Sequence, residues 1–87
     1  MPLNKTFAAL SDKNRRKILD LLKEKEMAVS EIGRYLDVTT PTLSYHLDVL
    51  KQTDLVSSRR EGRQIIYSLN LSVMEEIAEK IFKFLKK

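Results

Sequence analysis

The feature that most constrains the fold is a change of hydrophobic period near residue 52. Before it, apolar residues recur every three or four positions in short segments separated by turn residues, which is typical of amphipathic helices. After it, residues 55–60 and 63–69 flank Glu61-Gly62, with Val56, Ile65, Tyr67 and Leu69 at alternating positions, which predicts two strands joined by a tight turn. A chain with this order has several short helices followed by a β-hairpin.

Four helices are predicted before the hairpin. The first occupies the opening ten residues, the second covers residues 12–25, the third begins near Ser30 after a brief extended stretch, and the fourth covers residues 39–52. The side chains predicted to face the core from the second, third and fourth helices are Ile18, Leu21, Leu22, Ile32, Tyr35, Leu36, Leu43, Leu47 and Leu50.

The composition indicates one folded domain covering residues 1–87. Hydrophobic residues make up 43% of the chain and charged residues 32%, a balance that suits a folded domain better than a disordered tail. The opening residues lack the pattern of a signal peptide, and no apolar run approaches the length of a membrane span. We therefore expect a cytoplasmic protein that does not insert into membranes. The absence of cysteine excludes disulfides and thiolate metal ligands.

The order of elements also indicates a function. Two short helices joined by a tight turn, followed by a β-ribbon and a last helix, form a winged helix-turn-helix, a mainly α-helical fold with one small β-hairpin. In this fold the second of the two short helices enters the major groove of double-stranded DNA. The net charge of +4 at pH 7 suits a polyanionic partner. The sequence contains no recognisable nucleophile–base pair or phosphate loop, so an enzyme is not expected.

Three stretches resemble the ArsR-type winged-helix repressors, and the likeness runs from Phe7 to about Leu69. Residues 10–19 are similar to that family's entry into its second helix, although Lys13 stands where proline is usual. Residues 39–47 resemble its recognition helix with the S-x-H-L ending intact, and residues 55–63 resemble its wing, with an acidic-glycine turn between arginines. The chain looks closest to short members of the family that have no metal site.

The fourth helix and the wing are therefore the predicted DNA-binding elements. Hydroxyls dominate the first turn and outward face of the helix, so it would discriminate bases through several modest contacts and without an arginine–guanine pair. Asp48 would repel phosphates unless it pairs with Lys51 or accepts a hydrogen bond from a cytosine amine, and the sequence leaves both open. The predicted DNA-binding residues are Thr39, Thr40, Pro41, Thr42, Ser44, Tyr45, Lys51, Arg59, Arg60 and Arg63.

Other charged and titratable residues lie in the wing turn, in the basic run at residues 15–17 and at His46. A two-residue Glu61-Gly62 turn would place Arg60 opposite Arg63, a like-charge pair that a DNA phosphate would relieve. The basic run at residues 15–17 is expected to be a solvated face rather than a set of phosphate contacts. His46 is interpreted as structural. Without cysteines or a histidine–carboxylate pair on the last helix, neither a cofactor nor metal sensing is expected.

The two ends of the chain are predicted to form a homodimer. A fifth helix begins at Ser72, in a capping-box sequence with Glu75, and is apolar over more than one face. In the resembled family, terminal helices pack against a symmetry mate. The predicted interface residues are Leu3, Phe7, Leu10, Met74, Ile77, Ile81, Phe84 and Leu85.

The resulting hypothesis is a homodimeric transcriptional repressor that reads an inverted-repeat operator, with half-sites roughly 34 Å apart. The alternatives are a winged helix that binds another protein and a nonspecific DNA-binding protein. We expect no separate effector domain in so short a chain, so regulation is expected to come from a protein partner or from simple autoregulation.

Overall fold

The computed structural model describes residues 3–86 and contains five α-helices and one three-stranded sheet. The helices match the predicted order, and the strands match the predicted hairpin with one short strand added. The elements are α1 (Leu3–Leu10), α2 (Lys13–Glu24), β1 (Met27–Ala28), α3 (Val29–Gly33), α4 (Thr40–Gln52), β2 (Val56–Glu61), β3 (Gln64–Leu69) and α5 (Leu71–Leu85). The winged helix-turn-helix predicted from the sequence is thus confirmed.

The sheet is antiparallel with strand order β1-β3-β2. The extended stretch predicted before the third helix becomes β1, in which Met27 and Ala28 pair with Tyr67 and Ile66 of β3. This pairing attaches the hairpin to the helical part of the domain. The wing, defined here as residues 56–69, is therefore anchored along one edge and projects at its turn.

Helix α2 begins as predicted because Asp12 caps it. The Asp12 carboxylate accepts hydrogen bonds from the backbone N–H groups of Asn14 (2.8 Å) and Arg15 (3.1 Å), which would otherwise lack partners. These N–H groups, that of Arg15 first, hold the pKa of the Asp12 carboxyl below its usual range. The first turn of α2 is thereby fixed next to the end of α1.

Helix α4 ends in a Schellman motif that the sequence analysis did not identify. The N–H of Leu55 donates to the carbonyl of Leu50 (3.0 Å) and that of Asp54 to Lys51 (3.0 Å). Asp54 occupies the left-handed position with φ of 61°, where glycine is more common. The motif turns the chain sharply from α4 into β2 and buries Leu55 in the core.

The core is largely the one predicted, with three differences. Ile18 and Leu22 are buried as expected, but α2 also buries Leu19 and leaves Leu21 only partly covered. Tyr35 was predicted to face inward and is instead half exposed, because α3 ends at Gly33 and the chain no longer follows a helical period there. The other core positions of the third and fourth helices are buried as predicted: Ile32, Leu36, Leu43, Leu47 and Leu50.

Helix α5 starts at Leu71, with Asn70 at the N-cap position, so the predicted capping box at Ser72 is wrong. The Asn70 side chain donates to the carbonyl of Asp54 (2.7 Å) and accepts from the Ser57 hydroxyl (2.6 Å). These bonds tie the start of α5 to the end of α4 and the base of the wing. None of the helices within residues 3–86 has the length and apolar content needed to cross a bilayer.

Candidate nucleic-acid interface

The first turn of α4 is built by a threonine cap. The Thr39 hydroxyl oxygen accepts from the backbone N–H of Thr42 (3.3 Å), and the hydroxyl donates to Thr42 Oγ1 (2.9 Å). Pro41 lies in this first turn, where the missing N–H of proline costs nothing. The Thr42 hydroxyl proton is therefore still available to an incoming acceptor, so capping and DNA contact are compatible at these residues.

The remainder of α4 is divided into a buried and an exposed face, as predicted. Leu43, Leu47 and Leu50 lie in the core, and His46 is buried beside them. Tyr45 is 61% exposed, so its ring can reach a partner outside the domain. The remaining predicted contact residues of α4 are also exposed: Thr40, Pro41, Ser44 and Lys51.

The wing turn differs from the predicted one by one residue. Glu61 pairs with Gln64, so the two loop residues are Gly62 and Arg63 and not Glu61 and Gly62. Gly62 has φ of 62°, and glycine at the first of two loop residues is typical of a type II′ hairpin turn. The predicted pairing of Arg60 with Arg63 is consequently wrong, because Arg60 lies opposite Ile65 and Arg63 lies at the tip.

The register separates the two neighbouring arginines of β2. Residues directly opposite in an antiparallel pair share a face of the sheet, and successive residues alternate between faces. Arg59 is opposite Ile66 and Arg60 is opposite Ile65. The two guanidinium groups therefore leave the wing on opposite faces.

Arg59 is held by carboxylates rather than left free. Its guanidinium donates to both oxygens of Glu26 (2.8 and 2.6 Å) and to Glu61 (3.0 and 2.7 Å). The bonds to Glu26, with those to Glu61, raise the pKa of Arg59, and Arg59 lowers the pKa of Glu26. This cluster links the wing to the residue before β1. It leaves Arg59 a weaker candidate for DNA contact than the sequence indicated.

A groove of about 780 Å³ lies between α4 and the opposite face of the wing. Ile65 of the wing lines it, so Arg60 shares the face of the sheet that borders this groove. We call it the α4–wing groove. Its polar and charged lining includes Arg34, Thr40, Ser44, Asp48 and Arg63.

The groove contains one cation that sequence reasoning missed. Arg34 follows α3 and lines the groove together with Arg63 of the wing turn. Neither side chain forms an ion pair within the described part of the chain. No sequence pattern marked Arg34, because only the packing of α3 against the wing brings it to the groove.

The basic run at residues 15–17 is only partly solvated. The Arg15 guanidinium donates to the carbonyls of Ala9 (2.8 Å) and Ala8 (3.0 Å), and Arg16 donates to the Leu10 carbonyl (2.7 Å). Arg15 also lies 3.2 Å from Nδ1 of His46. Arg15 and Arg16 thus stabilise the junction of α1 with α2 and α4.

Comparison with known proteins places these elements in a family. A sequence profile described as "Bacterial regulatory protein, arsR family" matches residues 12–58, which is more than half of the chain. The chain is also 40% identical over 85 residues to the transcriptional repressor SdpR of Bacillus subtilis, covering 98% of this chain and 94% of SdpR. The chain belongs to the arsR family.

Two further similarities agree with this assignment. The arsR-family chain is 36% identical over 83 residues to a homolog of the cadmium resistance transcriptional regulatory protein CadC from Staphylococcus aureus, covering 94% of this chain and 69% of that protein. Its structure resembles an ArsR-like transcriptional regulator from Rhodococcus sp. RHA1 with a TM-score of 0.85 and 30% identity, covering 94% and 77% of the two chains. It is a DNA-binding transcriptional regulator of winged-helix fold and not an enzyme.

The terminal helices of the arsR-family chain leave apolar surface uncovered. Phe82 is 62% exposed and Leu85 is 74% exposed, and Phe7 of α1 is also exposed. Leu71, Ala78, Phe82 and Leu85 recur at helical spacing and form one strip along α5, which we call the outer apolar strip. Of the predicted interface residues, Phe84 is exposed and Leu10, Met74 and Ile81 are partly buried.

Two of the predicted interface residues, Ile77 and Leu3, differ from the others. Ile77 is only 4% exposed because it packs in the core of its own chain, so it offers little surface to a partner. Leu3 begins α1, but its side chain lies outside the described residues. Conversely, Leu71, Ala78 and Phe82 were absent from the predicted interface and are exposed.

The arsR-family chain offers few ligands for a metal ion. It contains no cysteine and one histidine. Across residues 3–86 no group of three or more histidine or carboxylate side chains is arranged to hold a metal. His46 is buried between Arg15 and Asp12, with Nε2 3.8 Å from Asp12 Oδ1. Its placement supports the structural interpretation of this residue.

Proposed function

We propose that this chain represses transcription as a homodimer bound to an inverted-repeat operator, with α4 in the major groove and the wing turn on the neighbouring backbone or minor groove. The observation that supports this most directly is the α4–wing groove, where exposed hydroxyls of α4 face the unpaired cations Arg34 and Arg63. A helix that reads base edges and cations that neutralise phosphates are the two components of sequence-specific binding.

The proposed contacts differ in kind along this surface. Thr39, Thr40, Pro41, Thr42, Ser44 and Tyr45 would supply base and thymine-methyl contacts, while Lys51 would supply a phosphate contact. In the wing, Arg60 and Arg63 are the proposed DNA contacts. Arg34, which lines the groove, is a further proposed contact. Arg59 has a lesser part, because binding DNA would require it to leave Glu26 and Glu61.

The proposed dimer uses α1 and α5. The outer apolar strip and Phe7 expose several large apolar side chains to water, and a second copy would cover them. Two subunits would present two α4 helices to half-sites roughly 34 Å apart. The protein would act in the cytoplasm, and regulation would come from a protein partner or from autorepression rather than from a metal.

Selection of bound DNA from a random pool tests this function directly. We expect an inverted repeat with half-sites about one helical turn apart, bound far more tightly than random DNA at the same salt concentration. Equal affinity for both would instead indicate a nonspecific DNA-binding protein. Absence of binding to any duplex would favour a protein-interaction module.

Two further measurements test the parts of the proposal. Reversing Arg60 and Arg63 to glutamate should abolish retention of operator DNA in a gel shift while circular dichroism remains unchanged, because the reversed charges repel phosphate. Dialysis against zinc, arsenite or copper should leave operator affinity within about tenfold, since transition-metal sites usually need three or four ligands. A larger change would contradict metal independence.

A further inference from the structure

We propose that Asp48 makes DNA binding selective: its carboxylate weakens binding to every duplex, and a base amino group that donates to it relieves the penalty only at the correct sequence. This role depends on the proposed binding of DNA by α4. It adds a residue that rejects wrong sequences to a surface whose other proposed contacts only attract.

Asp48 lies in line with proposed base-contacting residues. Thr40, Ser44 and Asp48 are four residues apart, so their side chains form one row along α4. All three line the α4–wing groove. A nucleic acid that follows this row from Thr40 past Ser44 would therefore meet the Asp48 carboxylate.

The structure removes one of the two explanations that the sequence left open. Asp48 forms no ion pair with Lys51, nor with any other cation among residues 3–86. Arg34 and Arg63 line the same groove, yet they leave Asp48 unpaired as well. Within the wing, burial and then the charge of Asp48 raise the pKa of the Tyr67 hydroxyl, and both residues line the groove.

The chemistry of an unpaired carboxylate determines what it accepts. It repels phosphates, and it has no proton to donate to guanine or thymine oxygens. The donors in the major groove are the exocyclic amino groups of cytosine and adenine, and aspartate commonly accepts from cytosine N4. Each base pair carries one such group, on one strand. Cytosine or adenine on the strand that Asp48 faces satisfies the carboxylate, whereas guanine or thymine there presents an acceptor oxygen and leaves it desolvated and unpaired.

Selectivity by rejection suits this particular helix. The outward face of α4 carries hydroxyls and Tyr45 but no arginine that would pair with guanine. Hydroxyl contacts discriminate weakly because they both donate and accept. Specificity is a difference of affinities, and a like-charge contact that penalises wrong sequences increases that difference without further attractive contacts.

Two substitutions separate the charge from the hydrogen bond. Asp48→Asn removes the charge and retains an acceptor oxygen, while Asp48→Ala removes both. Asp20→Asn is the matched control, because Asp20 is an exposed residue of α2 that lies 3.9 Å from Lys23 and does not line the groove. Affinities for the selected operator and for a random duplex of equal length are measured at one salt concentration, and each variant is used for a new selection.

Both Asp48 variants should bind random DNA roughly threefold to tenfold more tightly, because one repulsive charge is gone. The ratio of operator to random affinity should fall in both. Asp48→Ala should also lose its preference at one base pair per half-site, on the order of tenfold, which is the range of a single base contact. Asp20→Asn should change neither the ratio nor the selected sequence.

Three results would overturn the role of Asp48. One is an equal gain in affinity for operator and random DNA with an unchanged selected sequence, since the charge would then act without selectivity. Another is no change with either duplex, since the carboxylate would then not meet DNA. A third is a selected site with guanine or thymine on the strand that Asp48 faces, at the base pair where Asp48→Ala alters the preference. By contrast, wild-type protein that shows no operator preference would refute the proposed function itself.

Discussion

Asp12 and Arg15 show how single residues hold α4 in place. Asp12 caps α2 and lies 3.8 Å from His46 of α4, while Arg15 joins the last carbonyls of α1 to Nδ1 of the same histidine. These groups connect three helices in a small volume. Buried polar networks of this kind stabilise a unique packing only when every member has a partner.

Replacing Asp12 with alanine should lower the free energy of unfolding by about 1 kcal/mol at pH 7, the usual contribution of an N-cap. Because folding lowers the pKa of Asp12, this contribution is present at neutral pH and is lost as the pH falls through the lowered value. Urea denaturation measures the free energy of unfolding of wild type and variant at pH 7 and at about pH 2. The difference between the two proteins should be smaller at the lower pH. Asp12→Ser, which caps without charge, should remove most of this pH dependence. A difference that grows in acid would contradict the assignment.

At the scale of elements, the capping motifs at both ends of α4 determine where the helix begins and ends. Asp54 adopts a left-handed conformation with φ of 61° to close the Schellman motif. A side chain in this conformation costs energy that glycine avoids, although aspartate tolerates it better than most residues. The sharp exit from α4 sets the position of the wing relative to the helix.

Substituting Asp54 with glycine should raise the free energy of unfolding by about 0.5 kcal/mol, with Asp54→Val lowering it by about 1 kcal/mol or more. Thermal denaturation followed by circular dichroism measures both. A loss of stability in the glycine variant would show that the Asp54 side chain contributes more than its backbone conformation costs.

The wing provides a matched pair of adjacent charges. Arg60→Gln and Arg59→Gln remove the same charge from neighbouring positions of β2, but only Arg59 is engaged by Glu26 and Glu61. We expect Arg60→Gln to weaken binding to all DNA sequences and to reduce the salt dependence by about one released ion. Arg59→Gln should change the salt dependence much less. Equal effects would show that Arg59 leaves its carboxylate partners when DNA binds.

The wing also shows where prediction from sequence reaches its limit. The hairpin, its two strands and its glycine turn were predictable from alternation and from Gly62. The register was not, because Glu61-Gly62 and Gly62-Arg63 are both acceptable turns. Moving the turn by one residue moves the partner of each β2 residue by two positions on β3, which changes what lies opposite Arg59 and Arg60 but not the face that each occupies. The pairing of β3 with β1 and the contact of Arg59 with Glu26 are nonlocal interactions that fix the observed register.

At the scale of the whole molecule, the apolar surface of α1 and α5 is exposed to water in a monomer, which is energetically unfavourable. The outer apolar strip faces away from the core even though Ile77, on the same helix, is buried in it. A domain of this size has a limited core of its own, so burial against a second copy would add stability. Dimerisation and DNA binding are therefore expected to be coupled.

The double substitution Phe82→Glu and Leu85→Glu should weaken self-association by tenfold or more, on the order of the loss of one interface hot spot. Sedimentation measures the association, and a gel shift on the inverted repeat should show a parallel loss of affinity. Lys83→Glu, on the polar face of α5, is the control and should leave both unchanged. A wild-type protein that sediments as a monomer at micromolar concentration would refute the dimer.

The sequence by itself determined the order and type of the elements, the core faces of α2 and α4, and the family, since these depend on local periodicity, capping residues and short motifs. Tertiary structure alone decided which cations are free and which are engaged: Arg34 and Arg63 line the groove, whereas Arg15 and Arg59 are held by carbonyls and carboxylates distant in sequence. The physical reason is that the partners of a charged side chain are set by packing between elements, which local patterns do not encode.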